Sequence, residues 1–81
     1  MHIKKNLALS DTGFVFDPST GNSYSTNPIG LKIIQDLKQG KNEQDILKGL
    51  ASEYQASNET LEKDLMDFMS VLKKLQLSEQ E

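Results

Sequence analysis

Apolar side chains are sparse in the first 26 residues, and their spacing favours extended structure. Alternation over residues 2–9 predicts a half-buried strand, and the high β-propensity of residues 14–16 predicts a second one. Stretches rich in Ser, Asp, Pro and Gly follow both segments and predict turns. The polar residues 23–26 are then expected to return as a third strand, which completes a three-stranded antiparallel meander.

From Asn27 onward the apolar residues follow the period of an α-helix. Asn27 is a good N-cap, the proline after it suits the first helical position because its missing N–H costs nothing there, and Gly40 is expected to close the helix. Asn42 is predicted to cap a second helix. Ser57 or Asn58 is predicted to cap a third, which is the longest and begins with acidic residues.

These patterns together predict a fold class and a core. We expect an α+β, winged-helix-type domain in which a three-stranded antiparallel β-meander precedes three α-helices. Residues 1–81 are expected to form one domain, with the meander at 1–26, the helical part at 27–77 and a frayed tail at 78–81. The predicted core consists of Phe14, Phe16, Ile33, Ile34, Leu37, Ile46, Leu50, Leu61, Leu65, Phe68 and Leu72.

Composition removes most kinds of chemistry from consideration. The net charge of −3, with lysines interleaved among acidic residues, argues against nucleic acid as a partner. The absence of cysteine excludes disulfides and thiolate metal sites, and His2 as the sole histidine leaves no constellation for nucleophilic catalysis. No apolar run is long enough for a signal peptide or a membrane span. The sequence therefore predicts a cytoplasmic, non-catalytic protein without cofactor or metal, whose function lies in a surface.

Two features predict where that surface lies. The strand at Ser23, Tyr24, Ser25 and Thr26 runs into the first helix without a loop, and its free side would present backbone N–H and C=O groups to an added strand. The third helix carries more apolar surface than its leucine stripe needs, because methionines, which repack easily at binding surfaces, lie beside that stripe. Together they predict a groove for an extended peptide, with the helical wall formed by Leu65, Met66, Met69, Leu72 and Lys73.

Each feature also has a plainer interpretation. A short polar strand can be an ordinary edge that its length and side chains protect from aggregation. Met66 and Met69 can simply fill gaps in a small core. Neither alternative is excluded by the pattern of residues alone.

Residues 16–30, F-D-P-S-T-G-N-S-Y-S-T-N-P-I-G, resemble the PqqD-like family. The family pattern is an apolar residue and Asp, then Gly, an aromatic residue, Asn and a second Gly at similar spacing, followed by an apolar helix. The likeness extends from about Leu7 to Leu77 and includes Gly40 and an acidic start to the third helix. The chain departs from the pattern at Thr26, where the family has a larger apolar residue, and at Ile29, where it often has threonine.

The resemblance implies a peptide chaperone, also called a RiPP precursor-peptide recognition element. Such proteins bind the leader of a ribosomally made precursor and present it to a modifying enzyme, often a radical SAM protein. In the family the leader adds as a strand beside the third β-strand and rests against the third helix. By position this corresponds to Ser23–Thr26 and to the helical wall named above.

Two other classes of function remain open at this point. A winged-helix DNA-binding regulator would insert the third helix into the major groove, although that helix carries balanced rather than basic charge. A structural subunit would use the same strand edge to dimerise, so the chain is expected to be a monomer or a homodimer.

Overall fold

The computed structural model describes residues 2–79 and has the predicted architecture. A three-stranded antiparallel sheet in the order β1-β2-β3 precedes three helices, which confirms the predicted fold class. Within the described residues no helix is both long and apolar enough to cross a membrane. The elements are β1 (Ala8–Leu9), β2 (Phe14–Asp17), β3 (Asn22–Ser25), α1 (Pro28–Lys38), α2 (Glu43–Glu53) and α3 (Asn58–Lys74).

The predicted first strand is wrong over most of residues 2–9, because only Ala8–Leu9 pairs with β2. Earlier in this segment Ile3 forms a single antiparallel bridge with Ser78. The N–H of Lys4 donates to the carbonyl of Leu77 at 2.9 Å. The chain therefore bends between two buried positions, Ile3 and Leu7, instead of continuing straight along the sheet.

The predicted fraying of the tail is wrong for Ser78 and Glu79. Leu77 is buried with 1% of its surface exposed and anchors the segment to the core. The N–H of Glu79 then donates to the carbonyl of His2 at 2.8 Å. Residues 80 and 81 lie outside the described residues, so the prediction is not tested there.

The sheet buries the opposite face of β2 from the one predicted. Val15 is 1% exposed, whereas Phe14 is 56% exposed and Phe16 is 42% exposed. Val15 lies opposite Leu9 in β1 and Tyr24 in β3, and both of these side chains pack against the core. Side chains alternate between the faces of a strand, so placing Val15 inside sends both phenylalanines outside.

The helix caps agree with the sequence prediction. The side-chain oxygens of Asn27 and Asn42 accept from the N–H groups three residues later at 2.8 Å and begin α1 and α2. Ser57, not Asn58, caps α3 by accepting from Thr60 N–H at 3.2 Å. Gly40, at φ 81°, lies just after the end of α1, where the left-handed conformation suits glycine.

The core contains most of the predicted residues, with three exceptions. Phe14 and Phe16 are exposed, and Phe68 is only partly buried against the core. Met69, which was predicted for a binding surface, is buried with 5% exposed. The buried apolar residues are Ile3, Leu7, Val15, Ile33, Ile34, Leu37, Ile46, Leu50, Leu61, Leu65, Met69, Leu72 and Leu77.

Gly30 lets the start of α1 approach both the end of the sheet and α3. A Cβ atom at this position would overlap the Thr26 hydroxyl and would lie 3.0 Å from two ring atoms of Phe68. No side chain fits in that space without displacing one of these neighbours. Gly30 therefore fixes how closely α3 lies to the junction between β3 and α1.

The Asp17 carboxylate joins the turn after β2 to the N-terminal segment. It accepts from the Ser19 hydroxyl at 2.6 Å, from the Ser19 N–H at 3.0 Å and from Lys4 Nζ at 3.0 Å. The hydrogen bond from the Ser19 hydroxyl, followed by that from Lys4, lowers the pKa of Asp17 from 3.8 to about 2. Because the folded pKa lies below the unfolded value, the stability that this carboxylate contributes is present above pH 3.8 and is lost as pH falls toward 2.

Asp17→Asn is therefore expected to lower the urea midpoint at neutral pH, since the amide keeps a hydrogen-bond acceptor but loses the charge that pairs with Lys4. The difference from the wild-type protein should shrink between pH 4 and pH 2, where Asp17 itself becomes protonated. Asp11→Asn, at an exposed position in the first turn, is the control and should shift the midpoint little. A difference that stays constant over this pH range would contradict the role given to Asp17.

Candidate functional site

One edge of the sheet is open in the part of the chain that the structure describes. β3 pairs with β2 on one side, and no strand of residues 2–79 pairs with it on the other. In the ladder between β2 and β3, hydrogen-bonded and non-hydrogen-bonded residue pairs alternate, and Thr26 shows which pairs are which. Its N–H donates to the carbonyl of Gly13 at 2.8 Å. These two residues form a hydrogen-bonded pair, and in an antiparallel ladder such pairs alternate with non-hydrogen-bonded ones.

The alternation determines which backbone groups reach the open edge. Tyr24 lies opposite Val15, two positions along from the pair at Thr26, so its N–H and C=O point toward β2. Ser23 and Ser25 fall at the intervening positions, so the N–H and C=O of each point away from the sheet. The two serines therefore present donors and acceptors in the spacing that an added strand requires.

An apolar cavity of about 350 Å³ lies near the junction between β3 and α1. It lies between the start of α1 and one side of α3, and Asn27, two residues after the end of β3, forms part of its lining. We call it the β3 cavity. Its lining residues are Asn27, Ile29, Gly30, Ile33, Leu50, Leu61, Asp64, Leu65, Asp67, Phe68 and Val71.

The lining of the β3 cavity divides into a buried floor and an exposed rim. Leu61 and Leu65 are almost fully buried and belong to the core, so they form a fixed floor. Phe68 is partly buried, and Val71, one turn further along α3, is 46% exposed although it is apolar. The cavity therefore combines a fixed apolar floor with an exposed apolar side chain at its rim, as small-ligand pockets commonly do.

The residues of the predicted helical wall are divided between two cavities and the core. Leu65 lies in the floor of the β3 cavity, and Leu72, 2% exposed, is buried in the core. Met66, Met69 and Lys73 instead line a second cavity of about 410 Å³, which we call the methionine cavity. Its other lining residues are His2, Glu43, Ser70, Ser78 and Glu79.

Helix geometry explains the separation. At about 100° per residue, Met69 and Val71 lie roughly 200° apart around the helix axis. The two cavities share no lining residue, so the methionines and the rim of the β3 cavity occupy different sides of α3. The expectation that Met69 lies on an exposed flank is wrong, because the residue is 5% exposed and packs into the core.

Sequence reasoning missed Val71 and assigned Phe68 entirely to the core. Their spacing of three residues on a helix is the signal that could have found them, because it marks an apolar flank displaced from the leucine stripe. Asp64 and Asp67 lie on this flank too. Among residues 2–79 no group of three His, Cys, Asp or Glu side chains is arranged to hold a metal ion.

A three-stranded meander with an open edge, three following helices and an apolar cavity between α1 and α3 define a small winged-helix-type domain. The chain belongs to the PqqD family, since the model for coenzyme PQQ synthesis protein D (PqqD) matches residues 12–77. This match confirms the family that the sequence resembles. No curated protein sequence matches the chain.

Two similar solved structures have the same fold. TbiB1 in complex with the TbiA(beta) leader peptide is 27% identical and has a TM-score of 0.87, with 100% of this chain and 98% of that chain covered. Lasso peptide synthetase B1 complexed with the leader peptide is 25% identical and has a TM-score of 0.79, with 93% and 89% covered. Both of those proteins were solved with a leader peptide bound.

Proposed function

We propose that this protein binds the leader of a ribosomally made precursor peptide by β-strand addition and presents it to a peptide-modifying enzyme. The observation that carries the proposal is the pair of outward-facing backbone positions at Ser23 and Ser25, next to the β3 cavity. The protein itself contributes binding and not catalysis. Because the precursor is made by ribosomes, the cytoplasm is the expected compartment.

The outward-facing backbone groups of Ser23 and Ser25 suit the addition of a further strand. A strand placed beside β3 would lie about 4.8 Å away and would exchange main-chain hydrogen bonds with Ser23 and Ser25. Alternate side chains of that strand would point to the side of the sheet that the helices cover. Main-chain bonds then supply register, while the β3 cavity supplies a place for an apolar side chain.

The proposed peptide-binding surface includes the predicted strand edge, but its helical wall differs from the one predicted from the sequence. Ser23 and Ser25 contribute through their backbones, and Tyr24 supports the edge from the core side. Leu65 contributes the floor, while Phe68 and Val71 replace the methionines as the apolar wall. Met66, Met69 and Lys73 line the methionine cavity, and the proposal gives them no contact with the peptide.

Similar proteins support this assignment. Both of the solved structures described above contain a leader peptide, and the alignment with TbiB1 extends over the whole chain. The partner enzyme is expected from membership of the family. A DNA-binding role is not favoured, because the chain has a net charge of −3 and acidic residues on the exposed part of α3.

Ser25→Pro tests strand addition directly. Proline removes the N–H that faces the open edge, and edge strands tolerate proline where no ladder bond is lost. One main-chain hydrogen bond contributes about 0.5–1.5 kcal/mol, so affinity for an extended peptide should fall by about twofold to tenfold while the protein stays folded. Isothermal titration with a peptide selected from a random display library measures the change.

Ser25→Ala is the matched control, since it removes the hydroxyl but keeps the N–H, and it should bind like the wild-type protein. Circular dichroism checks that both variants are folded. Equal affinities for Ser25→Pro and Ser25→Ala would overturn strand addition at this edge. If the protein forms dimers and these dissociate when peptide is added, a second copy of the chain competes with the peptide for the open edge. If peptide binds and the dimers remain intact, the peptide binds elsewhere.

A further inference from the structure

We infer that the β3 cavity selects leader peptides in which a large apolar side chain lies next to a lysine or arginine, and that Asp64 and Asp67 recognise the positive charge. This inference rests on the proposed function and specifies the chemistry of the peptide. Three observations support it: the rim of the cavity carries negative charge, the two carboxylates form no ion pair within residues 2–79, and the floor of the cavity is apolar.

The rim of the β3 cavity carries charge of one sign only. Asp64 and Asp67 both line the cavity and both are exposed, and no lysine contributes to its lining. Positions three apart on a helix are neighbours, with Cβ atoms about 5–6 Å apart. The two carboxylates therefore form one negative patch at the mouth of the cavity.

Neither carboxylate is neutralised by the rest of the described chain. The ion pairs within residues 2–79 join Lys4 to Asp17, Lys32 to Glu53 and Lys41 to Asp36. Lys63 precedes Asp67 by one helical turn, yet the two are not within ion-pair distance in that same part of the chain. The negative patch is therefore available to a cation from outside.

The apolar part of the β3 cavity determines what must accompany the cation. Its floor is formed by core leucines, and the partly buried Phe68 and the exposed Val71 add further apolar surface to its lining. A volume of about 350 Å³ lies at the lower end of the range for small-ligand pockets, which suits one large side chain rather than several. Lysine and arginine can lay their methylene stems over such a surface while the charge remains at the edge.

The methionine cavity does not have this character. Its lining mixes Lys73 with Glu43 and Glu79, so it presents both signs of charge. A basic peptide would gain no consistent attraction there. Selectivity for a positive charge therefore belongs to the β3 cavity, where the protein's net charge of −3 also favours the approach of a basic peptide.

Selection from a random linear peptide display library tests the inference, with the wild-type protein, Asp64→Asn/Asp67→Asn and Glu59→Gln/Glu62→Gln as baits. The last variant removes the same charge from the first two turns of α3 at positions outside the lining of the β3 cavity. Wild-type and control baits should enrich peptides with lysine or arginine at a fixed offset from an apolar residue. The Asp64→Asn/Asp67→Asn bait should keep the apolar residue and lose the basic one.

The affinities of a selected peptide and its variant for the wild-type and mutant proteins then form a double-mutant cycle. Replacing the selected lysine by norleucine should weaken binding to the wild-type protein by about twofold to fivefold, as for an exposed ion pair, and should leave binding to Asp64→Asn/Asp67→Asn unchanged. For the wild-type protein, the difference in affinity between the lysine and norleucine peptides should become smaller at high salt, because salt screens exposed charges.

Two outcomes separate this inference from the proposed function. Enriched peptides without a basic preference, or with one that survives in Asp64→Asn/Asp67→Asn, overturn the inference and leave leader binding intact. A library that yields no binding peptide for any of the three baits overturns both.

Discussion

Replacing Leu65 with alanine is expected to lower the free energy of unfolding by about 2–5 kcal/mol. Leu65 is 1% exposed and lies in the middle of the buried face of α3, where it also forms the floor of the β3 cavity. Truncation there removes apolar contacts and leaves a cavity that the surrounding helices fill only in part. For a domain with a total stability of about 5–15 kcal/mol, this is a large fraction.

Met66→Ala is the control for this prediction, because it changes the next residue of the same helix at a position that is 53% exposed. Its effect should stay within about 0.5 kcal/mol. Chemical denaturation of both variants at neutral pH measures the difference. If Leu65→Ala unfolds at the same denaturant concentration as Met66→Ala, the buried face of α3 has been assigned incorrectly.

Replacing Val71 with asparagine is expected to weaken peptide binding by about tenfold to hundredfold. Val71 is 46% exposed in the free protein and forms the outer apolar wall of the β3 cavity, so the change should leave folding largely intact. A bound peptide would cover the new amide without giving it a partner, at a cost of about 1–3 kcal/mol. By the usual conversion, about 1.4 kcal/mol corresponds to a tenfold change in affinity.

The matched variant is Met66→Asn, which places the same amide on the other side of α3. Met66 is similarly exposed but lines the methionine cavity, so its replacement should leave peptide affinity unchanged. Fluorescence anisotropy with a labelled, library-selected peptide compares the two. Weaker binding by Met66→Asn together with normal binding by Val71→Asn would place the peptide on the methionine side, as the sequence pattern had predicted.

The order of elements could be predicted from sequence because its signals are local. Asn27, Asn42 and Ser57 each satisfy a free N–H three residues later, and the side chains that do this are few. Gly13 and Gly40 have positive φ angles and lie at the predicted turns. Such features depend on neighbours within a few residues, so no knowledge of tertiary packing was needed.

The buried face of β2 could not be predicted in the same way. The segment F-V-F offers two phenylalanines to one face and a valine to the other, and hydrophobicity alone favours burying the aromatic rings. The structure buries Val15 because Leu9 and Tyr24 lie opposite it on the inner face. That outcome depends on pairing with two other strands.

The helical wall is proposed on a different flank of α3 from the predicted one for a related reason. The leucine stripe correctly showed which face of α3 is buried, but Phe68 and Met69 lie at its two borders and either could face the sheet. Gly30 lies close to Phe68, so α1 packs against that border. An approach between two helices distant in sequence leaves no local signal.

Amide hydrogen exchange at Ser23 and Ser25, measured by NMR with and without a saturating library-selected peptide, tests strand addition most directly. The N–H groups of both serines face the open edge, so they should exchange rapidly in the free protein and become protected in the complex. The N–H of Tyr24 points toward β2 and should be protected in both states. Unchanged exchange at both serines in the saturated complex, with new protection confined to residues around the methionine cavity, would contradict the proposed mode of binding.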